Sequence, residues 1–142
     1  MSYLFRQKFK ISDLAQLSEM QQKILILESE PYLAALYARY LSIHNFLVEA
    51  CRQSEQLLES VALEQPHLLI VGIASVGNQR RLLELLRSLK LQHPALPIIT
   101  IGYNLEPAAL KQLISGGVAG HLDRRLSRPQ DLVLVVKTVL HH

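Results

Sequence analysis

The chain has little with which to staple itself or cross a bilayer. It holds one cysteine, Cys51, and no tryptophan in 142 residues. A lone cysteine excludes an internal disulfide framework, and without CxxC spacing or a Cys/His ligand set it offers no structural zinc site. A free thiol fits a reducing compartment, so a cytoplasmic location is expected. No apolar run approaches the roughly 18 residues that span a membrane. The N-terminus MSYLFRQKFK is basic at Arg6, Lys8 and Lys10 but lacks the apolar stretch of a secretory signal. Charge of one sign is also scarce: fifteen Lys and Arg against twelve Asp and Glu give a formal +3, short of the basic stripe of a dedicated nucleic-acid binder. Aspartate occurs only at 13, 123 and 131.

What is present is an alternation of short apolar runs with segments of helical period, the pattern of an α/β protein whose strands are buried on both faces. The apolar runs are KILIL (23–27), FLVEACR (46–52), HLLIVGI (67–73), LPIITIG (96–102) and Val118 to Leu122. Between them the spacing predicts helices over 31–44, 54–65, from Asn78 onward, over 107–115 and over 129–140. Pro31 suits a first turn, Ser54 is the expected cap of the second helix, and Ser127 with Gln130 has capping-box spacing before the last. Five strands and five helices in strict βα order imply a three-layer sandwich in one domain, 23–142. The ligand-binding edge then lies at the carboxyl ends of the strands. Residues 1–22 stand apart as an extension in which Ser12 could cap a short helix carrying Leu14, Leu17 and Met20.

The stretches KILILESEP, PHLLIVGI, LPIITIG and ISGGVAGHL, in this order and spacing, resemble the receiver domain of two-component response regulators. The resemblance covers about residues 22–140 and implies a flavodoxin-like, CheY-like fold with a five-stranded parallel sheet ordered 2-1-3-4-5. In that family two acids after the first strand bind Mg²⁺, an aspartate ending the third strand accepts a phosphoryl group, and a hydroxyl residue and a lysine contact it. Hard Mg²⁺ takes oxygen ligands, and cations offset phosphoryl charge. Carried onto this chain, those positions hold Glu28, Ser29, Gly72, Gly102 and Arg124. Glycine carries no side chain to phosphorylate, and no aspartate lies near the third strand. Glu28 and Glu30 leave a weak residual option for metal. Arg124 is expected to pair with one of them, and Arg is not a simple substitute for Lys. Tyr103 and His121 fall where receivers couple their site to the surface, which implies a switch built of different parts.

The resulting expectation is a phosphorylation-independent receiver-like module, not an enzyme, without cofactor, that binds other signalling proteins. A homodimer through the face Pro107 to Leu140, near Leu126, Leu132, Val135 and Val139, is one form of that expectation. The alternative is a small anion or nucleotide at the strand ends, held by Arg124, Arg125 and turn amides where Gly72 and Gly102 leave space. Nucleic acid ranks last: the clusters Arg80, Arg81, Arg87, Lys90 and Arg124, Arg125, Arg128 come without a recognition motif. His67 reads as an ordinary hydrogen-bonded histidine, and Gly116-Gly117 as a helix cap.

Overall fold

The computed structural model describes residues 21–125 and 127–141. The expectations for 1–20, including the helix capped by Ser12, and for Leu126 lie outside the described residues.

Apolar runs bounded by turn residues become strands β1 (Lys23–Leu27), β2 (Leu47–Cys51), β3 (Leu68–Gly72), β4 (Ile98–Gly102) and β5 (Gly120–Asp123). They form one parallel sheet in the order β2-β1-β3-β4-β5. The helices are α1 (Pro31–Ile43), α2 (Leu57–Glu64), α3 (Gln79–Gln92), α4 (Pro107–Ser115) and α5 (Pro129–Leu140). Successive strand side chains point to opposite faces, which divides the core into two layers. Leu25, Leu27, Leu69, Val71 and Ile98 meet Leu57, Val61, Leu82, Leu86, Leu89 and Leu113 of α2, α3 and α4. Ile24, Ile26, Leu68, Ile70, Ile99 and Ile101 meet Tyr37, Leu41, Leu132, Val133 and Val136 of α1 and α5. At about 1.5–3 kcal/mol for each large side chain fully buried, these two layers supply the main drive to fold.

Three local expectations are corrected. Ser54 does not cap α2 but opens a 3₁₀ turn, Ser54–Gln56, that leads into it. The start of α5 is tied by Arg128 and Asp131, not by Ser127 and Gln130. Arg128 N donates to Asp131 Oδ2 at 2.7 Å, and Asp131 N donates to Arg128 O at 2.9 Å. β5 begins at Gly120 instead of Val118, because Val118 N is committed to Leu113 O, closing α4. Beyond β3 the chain also makes a 3₁₀ turn, Ile73–Ser75, which folds Ser75 back toward the end of β1.

Candidate functional site

The carboxyl ends of β1, β3, β4 and β5 converge on one edge. Glu28 N donates to Cys51 O at 3.0 Å and so prolongs β1 by one residue. Strand alternation then aims its side chain to the α1/α5 side, with Ile24 and Ile26. There it is 3% exposed, one of two buried polar or charged residues with Thr100 among the described residues. A buried carboxylate needs partners, and each of its oxygens has one. Arg124 Nη2 donates to Glu28 Oε1 at 2.9 Å. Glu30 N donates to Oε2 at 3.1 Å, and Ser75 Oγ lies 3.4 Å from the same oxygen. Ser75 Oγ accepts from Ser29 N at 2.8 Å and is 3.1 Å from Ser29 Oγ, so its single proton is shared between two acceptors.

The side chain of Arg124 is 14% exposed and that of Glu28 4%. Arg124 is held from several sides. Its backbone N donates to Gly102 O at 2.8 Å. Its guanidinium carbon lies 5.0 Å from the Tyr103 ring centre and 6.0 Å from that of Tyr37, within cation–π reach. Burial works to lower the Arg124 pKa, but Tyr103, Tyr37 and Glu28 outweigh it and the net shift is upward. Burial raises the Tyr37 hydroxyl despite Arg124. The site is thus a fixed cation and a fixed anion with aromatic cover.

The two glycines do not leave the open space expected of them. A Cβ on Gly72 would sit 2.7 Å from Glu28 Oε1 and 3.0 Å from Leu27 O, so the carboxylate already fills that volume. A Cβ on Gly102 would meet Ile73 Cδ1 at 3.1 Å and His121 Cε1 at 3.6 Å. The remaining residues are placed apart from the pair. Glu30 Oε1 accepts from Tyr32 N at 3.3 Å and caps α1. His121 Nδ1 is 2.8 Å from Thr100 Oγ1 on the neighbouring strand. Burial lowers the His121 pKa, with Asp123 acting in the opposite sense. Tyr103 is 52% exposed at the rim. Arg125 turns back to Asp123, its backbone N donating to Oδ1 at 3.0 Å.

Mg²⁺ does not fit this arrangement. Glu28 Oε1 is already engaged by a guanidinium, Ser29 offers a neutral oxygen bonded to Ser75, and Gly72 has only backbone. Among the described residues no three His, Cys, Asp or Glu side chains converge as a metal site. Ser75 and the packing of Tyr37 on Arg124 were not foreseen. Ser75 carries no sequence signal beyond lying in the loop after β3, and Tyr37 reads only as one more apolar position of α1.

Parallel order 2-1-3-4-5 with helices on both faces is the CheY-like fold of response-regulator receivers. The comparisons with solved proteins agree. Over 86% of this chain and 26% of the other, it superimposes on NtrX from Brucella abortus, solved in complex with ADP (TM-score 0.75, 24% identity). A response regulator from Thermotoga maritima matches over 86% of this chain and 99% of its own, with TM-score 0.77 and 13% identity. In sequence, the nitrogen assimilation regulatory protein NtrX of Azorhizobium caulinodans is 30% identical over 82 residues, 58% of this chain. The chain spans only 18% of that relative's length. No protein-family model matches. Among the described residues no helix is long and apolar enough to cross a membrane.

Proposed function

We propose that the chain is a degenerate member of the receiver family, a signalling module that works without phosphorylation and acts by binding other proteins. One observation carries this reading: Arg124 is bonded to Glu28, and the Glu28 carboxylate occupies the place of a side chain at Gly72. In receivers, metal and phosphoryl group enter and leave that space and the domain changes state with them. Here an internal ion pair stands in for both, which favours one constitutive arrangement. With glycine in place of the phosphoacceptor at residue 72 we assign no enzymatic activity, and the buried thiol of Cys51 fits a cytoplasmic setting. The face Pro107 to Leu140 carries the exposed apolar residues Ile114 and Leu134, suited to a partner or a second copy. Leu132 is buried and Val135 and Val139 pack on the core, so those three contribute to folding more than to that surface. The test is intact mass after incubation with acetyl phosphate and Mg²⁺. An unchanged mass is expected, and a phosphoryl adduct would overturn the reading.

A second reading has its own support. Beside the ion pair, a cleft of about 200 Å³ opens between α1 and α5, lined by Tyr37, Arg124, Ser127 and Arg128. Arg124 Nε, buried, has no acceptor among the described residues. A small anion would supply one. Phosphate and ADP are the anions to try, and a ligand at a hundred times its Kd adds about 2.7 kcal/mol, visible as a thermal shift.

A further inference from the structure

We infer that the groove between α3 and α4 receives an acidic amphipathic helix from a partner protein. The inference rests on the protein-binding reading above and gives the partner a chemistry. The groove encloses about 730 Å³, and Leu83, Leu86 and Leu91 are the apolar part of its lining. Leu91 is 78% exposed, a large apolar surface left in water. Arg87, Lys90 and Lys111 supply the charge, and no Asp or Glu lines the groove. On α3 the residues 83, 87, 90 and 91, and on α4 the residues 108, 111, 112 and 115, each follow helical spacing, so two stripes face one trough. Ala108, Ser115 and Gly116 keep the α4 wall low.

Unpaired cations gather in this groove: among the described residues Arg39, Arg52 and Lys137 also lack an acid within ion-pair distance, but none of them lines it. Arg80 pairs with Glu84 on the same helix, and Arg81 with Glu55 of the 3₁₀ turn before α2. Arg125 and Arg128 have Asp123 and Asp131. Among the described residues, Arg87, Lys90 and Lys111 have no acid within ion-pair distance, and Lys90 Nζ donates instead to Leu96 O at 3.2 Å. The trough is therefore an uncompensated positive field over an apolar floor. A helix with Leu on one face and Glu on its flanks satisfies both features. The other occupants fit less well. No aromatic lines the groove to stack a base. The chain's own segment 1–20 carries Arg6, Lys8 and Lys10 against Asp13 and Glu19, the wrong sign.

The probe is a fluorescent helical peptide of about 16 residues, roughly 24 Å long, with Leu along one face and Glu beside it, titrated against the full chain by anisotropy. Saturable binding is expected. Reversal of two charges by Arg87→Glu with Lys111→Glu should weaken it about tenfold in about 0.1 M salt, and a Lys-for-Glu peptide should bind the reversed variant but not the original. Leu63→Glu, on α2 and 78% exposed, should leave affinity unchanged. The inference is overturned by no saturation up to about 0.1 mM peptide. It is also overturned if both peptides bind equally, if the double reversal has no effect, if Leu63→Glu abolishes binding, or if a single-stranded oligonucleotide binds this groove more tightly than the peptide. Circular dichroism confirms that each variant is folded. The acetyl phosphate experiment reads the phosphorylation-independent state separately, so failure of one leaves the other intact.

Discussion

Replacing Arg124 by Met is the most informative single perturbation. It keeps an unbranched apolar stem but removes the cation from Glu28, whose side chain is only 4% exposed. The carboxylate would keep the Glu30 amide and the Ser75 hydroxyl but lose its only ion-pair partner among the described residues. Breaking a buried pair from one side costs about 3–5 kcal/mol, since an uncompensated charge remains. Domains are stable by only about 5–15 kcal/mol, so a fall in melting temperature on the order of 10 °C is expected. Lost contact with the Tyr103 ring at 5.0 Å adds to the effect. The matching variant Glu28→Gln combined with Arg124→Met removes both charges and should recover much of the loss, because neutral replacement of a buried pair is often nearly cost-free. Urea unfolding of the wild type, both single variants and the double variant gives the coupling energy. A loss below about 1 kcal/mol for Arg124→Met, the value of a solvent-exposed pair, would refute the account of this site.

Two further outcomes follow from neighbouring residues. Gly72→Asp places a new carboxylate against Glu28 Oε1 and should destabilise by at least about 2 kcal/mol through overpacking and like-charge contact; urea unfolding at wild-type stability would contradict the packing described. Burial holds the folded pKa of His121 below its ordinary value of 6.5. The unfolded chain therefore takes up the proton first, so this contribution to stability is complete above pH 6.5 and is lost as pH falls from there toward the folded value. His121→Gln, which can still bond Thr100, should lose less stability than the wild type between about pH 7.5 and pH 5.5, and parallel urea midpoints for the two would disprove it.

Much of the fold was legible because its signals are local. Buried strands read as unbroken apolar runs, and Pro107 and Pro129 announced the first turns of α4 and α5 at the residues where they begin. Caps were less legible. Ser54 and Ser127 have the right chemistry, but Ser54 opens the 3₁₀ turn ahead of α2, and Arg128, not Ser127, takes the capping position of α5. At the site, the pairing of Arg124 with an acid was readable from charge and topology. That the acid is Glu28 and not Glu30 depends on where the ladder ends: the Glu28 N to Cys51 O bond keeps residue 28 tied to the sheet and buried, whereas residue 30 lies beyond it and caps α1. Ser75 was invisible because its role comes from a 3₁₀ turn that no residue in the loop dictates. The glycines misled most. A missing side chain reads as empty space in a sequence, but a neighbour fills it in the folded chain.

The 2.7 Å approach between Glu28 Oε1 and a Cβ on residue 72 makes three positions epistatic. An aspartate introduced at 72 first meets an anchored anion, and removing Arg124 first strands a buried charge. Only after Glu28 has been neutralised or redirected can either change be tolerated. Installing phosphoacceptor chemistry in this scaffold is therefore a question of the order of substitutions as much as of their identity, with Glu28 as the residue to change first.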